Sequence, residues 1–216
     1  MDQREALSAL LTSDGTGTSA RWLLGLTGPP GVGKSTVSEA LVSACTAAGR
    51  TAAVVGMDGF HLSAAELDRR GLADVKGAPE TFDCAGFVQL LRRLRARDEP
   101  QVRVPAFDRA REQTVPDVIA VPAATELVVV EGNYLLLDGP WRAVRDLLDE
   151  VWFLDLPNEV RVQRLVTRHQ EHGRPPSAAA EWVHRSDEAN ARRVLADRHL
   201  ADAFVDVTTG QVSRSA

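Results

Sequence analysis

Gly28-Pro29-Pro30-Gly31-Val32-Gly33-Lys34-Ser35 satisfies every fixed position of the phosphate-binding loop pattern G-x-x-x-x-G-K-[ST]. An apolar run, Trp22 to Leu26, leads into it and a helix-periodic segment leads out, which is the strand-loop-helix setting the pattern requires. Glycines at 28, 31 and 33 free the backbone to turn successive N–H groups inward around a phosphate. The N-terminus of the following helix adds partial positive charge at the same place. Lys34 suits a contact to β/γ-phosphate oxygens, and the Ser35 hydroxyl suits a Mg²⁺ ligand position. Pro29, Pro30, Val32 and Thr36 complete the stretch read as nucleotide-binding.

The size of the chain, 216 residues, fits one α/β domain with small insertions. A net charge of −5 leaves no basic footprint for nucleic acid. There are two lysines, Lys34 and Lys76, against 23 arginines, so a lysine inside the narrow loop stands out against a general use of arginine. Cys45 and Cys84 have no metal-binding spacing and read as small buried hydrophobes of a reducing compartment. The charged N-terminus does not read as a signal peptide, and no apolar run approaches membrane-spanning length. A soluble cytoplasmic protein without nucleic-acid or membrane partners is the expectation.

Residues 1–19 read as a short amphipathic helix and a flexible Ser/Gly/Thr-rich linker, and 20–216 as the main domain. In that domain, strands are expected at about 21–27, 52–57, 127–132, 151–156 and 203–207, and helices at about 34–49, 84–97, 141–149, 158–172 and 178–200. The long segment 58–83 holds only a short helical candidate at 63–70, a length that is usually functional. Residues 101–121, punctuated by Pro105 and Pro116, suggest a small β insertion. Five apolar strands alternating with helices indicate a doubly wound parallel sheet with helices on both faces. Ligands then bind beyond the carboxyl ends of the strands.

Two acids, Asp58 and Glu131, end apolar strands and so belong at that edge. Glu131 suits an acid that holds Mg²⁺ directly or through water; the alternative is a capping or loop-ordering role. Asp58 suits a general base toward a hydroxyl, with a second place near the metal; the alternative is an Asx-turn before Gly59.

Together with the loop, Met57-Asp58-Gly59-Phe60-His61, Glu80-Thr81-Phe82-Asp83 and Val130-Glu131-Gly132 resemble the P-loop kinase group that includes uridine kinase, bacterial pantothenate kinase and phosphoribulokinase. Lys76-Gly77-Ala78-Pro79 and Glu131-Gly132-Asn133-Tyr134 are similar to the bacterial fructose-transport-system-kinase-like branch. The resemblance spans about 20–207. It implies ATP and Mg²⁺ as cofactors, Asp58 as the catalytic aspartate, and Glu131 as the second-strand acid. It further implies that Phe60, His61, Asp83 and the stretch holding Phe107, Asp108 and Arg109 line the acceptor pocket. On the residues alone, Phe60 and Phe107 read equally as core, His61 as a surface histidine, and Lys76 as a contact to an anionic acceptor or to nothing. Related kinases span dimers and tetramers, which leaves a homodimer open.

A lid is expected around 161–176, where Arg161, Arg164 and Arg168 share one helical face. Arg164 falls in register with the lid arginines of uridine kinases, whereas Arg168 is displaced by one residue. A solvated arginine face is the alternative. The expected function is transfer of a phosphoryl group from ATP to a hydroxyl of a small metabolite. A nucleotide-driven accessory or switch protein is the alternative of another class, although no N-K-x-D guanine motif is present. A nucleoside monophosphate kinase would need further acceptor-site arginines, for which Arg103, Arg109 and Arg111 are the candidates.

Overall fold

The computed structural model describes residues 21–109 and 111–215. In chain order, strand β1 (Trp22–Thr27) leads through the phosphate loop to helix α1 (Lys34–Ala47), and β2 (Ala52–Gly56) follows. The long segment after β2 contains α2 (Ala64–Arg70) and then α3 (Cys84–Ala96). β3 (Gln101–Asp108) and β4 (Gln113–Pro122) form the insertion, and β5 (Leu127–Glu131) returns to the sheet. A short turn of helix, α4 (Arg142–Arg145), precedes β6 (Glu150–Asp155), after which come α5 (Asn158–Glu171), α6 (Pro176–Trp182) and α7 (Glu188–Ala196). β7 (Ala203–Asp206) and β8 (Val212–Arg214) close the chain.

The main sheet has six strands in the order β2-β5-β1-β6-β7-β8. All pairings are parallel except the last, where β8 runs antiparallel to β7. The five expected parallel strands are present, and β8 is an addition at the edge, three residues long and so too short to carry a periodic signal. The strands are apolar throughout because both faces are covered. Leu23, Val128, Val130, Val151 and Phe153 face one side, where α3 packs through Phe87, Leu90, Leu91 and Leu94. Leu24, Leu26, Val129, Trp152 and Leu154 face the other, against Val37, Leu41 and Cys45 of α1. That alternation is the two-residue period of a pleated strand, applied twice.

β3 and β4 form an antiparallel ribbon outside the main sheet. Its register shifts between Val104 and Ala106, around Pro105. Opposite, β4 absorbs the extra residues at Pro116 to Val118, with Asp117 in the left-handed region at φ 56°. Prolines cannot donate to a ladder, so the irregularity falls where they are.

One expected helix, 178–200, proves to be composite: α6, a π-helical turn at Val183–Asp187, α7, and a 3₁₀ turn at Arg198–Leu200. The stretch expected as helix at 141–149 keeps helical form only over Arg142–Arg145 after a 3₁₀ turn. The expected helix and linker at 1–19 lie outside the described residues. No helix among the described residues is long and apolar enough to cross a membrane.

Candidate active site

A cavity of about 750 Å³ opens at the carboxyl ends of β1, β5 and β2. The phosphate loop forms one wall. Gly31 has φ +81°, and a Cβ there would stand 2.7 Å from Leu165 Cγ and 3.0 Å from the Arg161 carbonyl, so α5 packs directly on the loop. Gly33 also has positive φ and caps α1 without a side-chain hydrogen bond; the first turn of α1 carries no acid. The helix dipole therefore faces the cavity uncompensated.

Lys34 reaches back across the loop, donating from Nζ to the carbonyls of Gly28 at 2.9 Å and Pro29 at 3.3 Å. Burial pulls its pKa down to about 8, with Glu131 and Asp58 acting in the opposite sense. Glu131 ends β5 directly beside Gly56 of β2, and the Ser35 hydroxyl donates to its Oε1 at 3.3 Å. Burial raises the Glu131 pKa against the pull of Lys34. Its other oxygen, Oε2, is buried without a hydrogen-bond partner.

Asp58 sits in a 3₁₀ turn, Met57–Phe60, just beyond β2. Its carboxylate accepts from Arg109 at 2.9 Å, an arginine supplied from the tip of the β3–β4 ribbon. Arg164 and Arg168 of α5 also line the cavity. Arg164 Nη1 lies 3.5 Å from where a Gly33 Cβ would stand, which places it over the loop. Burial, then the charge of Arg109, lowers the Arg168 pKa, so this guanidinium lies in a setting that favours an anion.

Of the residues expected at the site, Pro30, Gly31, Gly33, Lys34, Ser35, Thr36, Asp58, His61, Lys76, Arg109, Glu131, Arg164 and Arg168 line this cavity. Gly28, Pro29 and Val32 shape the loop from behind; Val32 is buried in the core with α1. Four expected acceptor residues are placed elsewhere. Phe60 packs on Phe87 with ring centres 5.0 Å apart, and Phe107 lies against His61 at 4.8 Å, behind the lining. The Asp83 side chain caps α3 by accepting from Gly86 N at 2.9 Å. Asp108 turns to Arg111, accepting from its backbone and its guanidinium.

The arginine face of α5 also divides. Arg161 is 2 % exposed and donates to the Pro30 carbonyl at 3.1 Å, to Asn158 and to Glu188. It is a strut between loop, α5 and α7, and the lid expectation does not hold for it. Lys76 pairs with Glu112 and lies 5.4 Å from the Phe107 ring centre.

Phe82, Asn133, Asp187, Asn190 and Val207 also line the cavity. Phe82 and Asn133 lie inside segments the sequence marks; Asp187 and Asn190 carry no motif. Their only signal is i, i+3 spacing in a helix that has to return over the sheet.

Glu131 and Ser35 offer hard oxygen donors, one of them buried and unpaired, and among the described residues no cluster of three His, Cys, Asp or Glu side chains could hold a metal by itself. A cation here would complete its shell with phosphate and water oxygens, which fits Mg²⁺.

Fold, loop and cavity define a P-loop nucleotide-binding protein of the kinase type. The family model described as Phosphoribulokinase / Uridine kinase family matches residues 23–211, and the chain belongs to that family, one of ATP-dependent small-molecule kinases. It is 39 % identical over 152 residues to "ATP-dependent kinase-like protein notR'" of Aspergillus versicolor, covering 66 % of this chain and 88 % of that one. It is 35 % identical over 191 residues to "Uncharacterized protein YggC" of Escherichia coli strain K12, covering 87 % and 78 %. A solved structure from Silicibacter sp. TM1040, provisionally named a fructose transport system kinase, superposes with a TM-score of 0.86 at 38 % identity, covering 94 % of this chain and 98 % of that one.

Proposed function

We propose that the protein transfers the γ-phosphoryl group of ATP to a hydroxyl of a small metabolite such as a nucleoside, a sugar or a pantothenate-like alcohol. The observation that carries this reading is the convergence of the phosphate loop, Asp58 and Glu131 on one cavity. Phosphoryl transfer needs positioning and charge compensation more than covalent chemistry, and this set supplies both.

The loop backbone and Lys34 hold the phosphates, with Thr36 beside them, and Arg164 and Arg168 offset the charge of the transferring group. Ser35 and Glu131, with Asp58 nearby, would hold Mg²⁺, which would neutralise phosphate charge when bound. Asp58 takes the proton of the acceptor hydroxyl as its oxygen bonds to the γ-phosphorus. The bond from that phosphorus to the bridging oxygen breaks and ADP leaves. His61, Lys76 and Arg109 border the acceptor's side of the cavity. Arg109 orients Asp58 until the hydroxyl arrives.

The test is ADP release by purified protein with Mg-ATP and a panel of nucleosides, sugars and pantothenate-like alcohols. Release should depend on one acceptor class. Equal slow hydrolysis with and without every acceptor would overturn the reading and favour a nucleotide-driven accessory protein; no ATP binding would overturn it outright.

A further inference from the structure

Arg109 donates from Nη2 to Asp58 Oδ2 at 2.9 Å, and its guanidinium makes no other hydrogen bond among the described residues, so most of its five donors are uncommitted. The side chain is 51 % exposed and lines the same cavity as Lys34, Ser35, Glu131 and Arg168. Burial lowers the Arg168 pKa, and the Arg109 charge lowers it further. Burial lowers that of Lys34 as well, and against Glu131 and Asp58 the charges of Arg168 and Arg109 add to the shift. Three cations that press on one another across one cavity mark a place where a group with several anionic oxygens would offset all of them.

The ribbon explains how one arginine can serve both ends of the cavity. Arg109 follows the last residue of β3, and the turn that carries it is tied down on either side of its tip: Glu112 pairs with Lys76, and the Thr114 hydroxyl donates to the His61 carbonyl at 3.2 Å. The guanidinium is thereby held at Asp58 by its own backbone, with donors to spare. A carboxylate that is to act as base beside a γ-phosphoryl group faces a second anion, and a cation placed between the two removes that repulsion. The planar fork of arginine matches two oxygens of a phosphoryl group, which the single ammonium of a lysine does not.

We propose that Arg109 is a catalytic residue that binds the γ-phosphoryl group of ATP with the donors Asp58 leaves unused, so that one guanidinium links the base to the group being transferred. The inference rests on the kinase reading above and adds a third arginine, from the ribbon, to the two that α5 supplies. As the acceptor oxygen bonds to the γ-phosphorus and the bond to the bridging oxygen breaks, the acceptor's proton goes to Asp58 and Arg109 exchanges none; it offsets the charge on the phosphoryl oxygens throughout. An arginine that only oriented Asp58 would make no contact with the nucleotide. The two roles therefore differ in what the γ-phosphoryl group contributes to binding.

The test is isothermal titration calorimetry of the full chain with Mg²⁺ and either ADP or AMP-PNP, an analogue that keeps a γ-phosphoryl group and resists its transfer. Arg109→Ala should weaken AMP-PNP about tenfold or more and ADP by less than about threefold. Arg109→Lys, which keeps the charge and loses the fork, should recover part of the loss. Arg111→Ala removes a charge from the same turn, but that side chain pairs with Asp108 and is not among the cavity's lining residues, so neither affinity should move. An unchanged ratio of the two affinities in Arg109→Ala, or an equal loss of both, would overturn the contact, and failure of the wild-type protein to bind either nucleotide would overturn contact and kinase reading together. A shifted ratio, with no acceptor phosphorylated by the wild-type protein, would leave the contact standing and remove the kinase reading. Acceptor-dependent ADP release with an unchanged ratio would do the reverse.

Discussion

Arg109 donates to Asp58 at 2.9 Å, bridging the tip of the β3–β4 ribbon to the turn after β2 across 51 residues of sequence. Both side chains are about half exposed, so the contact contributes little to stability, on the order of 0–1 kcal/mol. Its consequence is for geometry. The contact holds the Asp58 carboxylate in one direction, as the proposed role of base toward a hydroxyl requires.

That arrangement makes Asp58→Asn the direct test of proton transfer. The variant should lose about 10²–10⁴ in kcat while its KM for ATP stays within about threefold, because the amide keeps the shape and not the basicity. Steady-state kinetics against the best acceptor decide it. A variant with wild-type kcat would remove Asp58 from the role of base.

Lys34 gives a pH prediction with a definite sign. Its pKa in the unliganded protein is about 8, below the ordinary 10.5, so capture of ATP should be full below that pH and fall about tenfold per unit above it. Bound phosphates favour the charged form, so the corresponding limb in kcat should lie at higher pH. In stability the sign reverses: burying this charge is least favourable below about pH 8, and the fold regains stability from this group as pH rises toward 10.5. A kcat/KM profile for ATP that stays flat from about pH 7 to 9.5 would contradict the assignment.

Glu131 and Ser35 predict a dependence on Mg²⁺. Chelation should abolish turnover, and Glu131→Gln should raise the Mg²⁺ concentration for half-maximal activity about tenfold or more. Titration of activity with Mg²⁺ at fixed ATP reads this directly. An unchanged requirement would place the cation elsewhere.

Arg161 predicts a stability effect in place of a catalytic one. Arg161→Met removes one partner of a buried ion pair and leaves Glu188 uncompensated beside the loop, a change that costs about 3 kcal/mol. For a domain of this size that is a fall of roughly 6–12 °C in Tm. The double variant Arg161→Met/Glu188→Leu should recover most of it, because no lone charge remains. Thermal denaturation of the three proteins distinguishes a strut from a lid arginine, whose loss would lower kcat and leave Tm alone.

Much of this site is legible one segment at a time. The loop 28–35 is a contiguous pattern, and Asp58 and Glu131 are read from the apolar strands they end. A strand buried on both faces is apolar along its whole length, so five parallel strands and the edge at which their carboxyl ends gather follow from local runs of residues. Arg161, Arg164 and Arg168 look equivalent in the sequence because i, i+3, i+7 spacing is all that it records.

What the sequence by itself determined is therefore the class of fold and the phosphate corner of the cavity, where chemistry and backbone conformation are both encoded over a few adjacent residues. Only the tertiary structure decided that Arg161 turns to a carbonyl 131 residues away, that Arg109 meets Asp58, and that Asp187 and Asn190 enter the cavity at all. Each of those depends on how a helix or ribbon packs against elements distant in the chain. A π turn that rotates the following face leaves no mark in hydrophobic spacing.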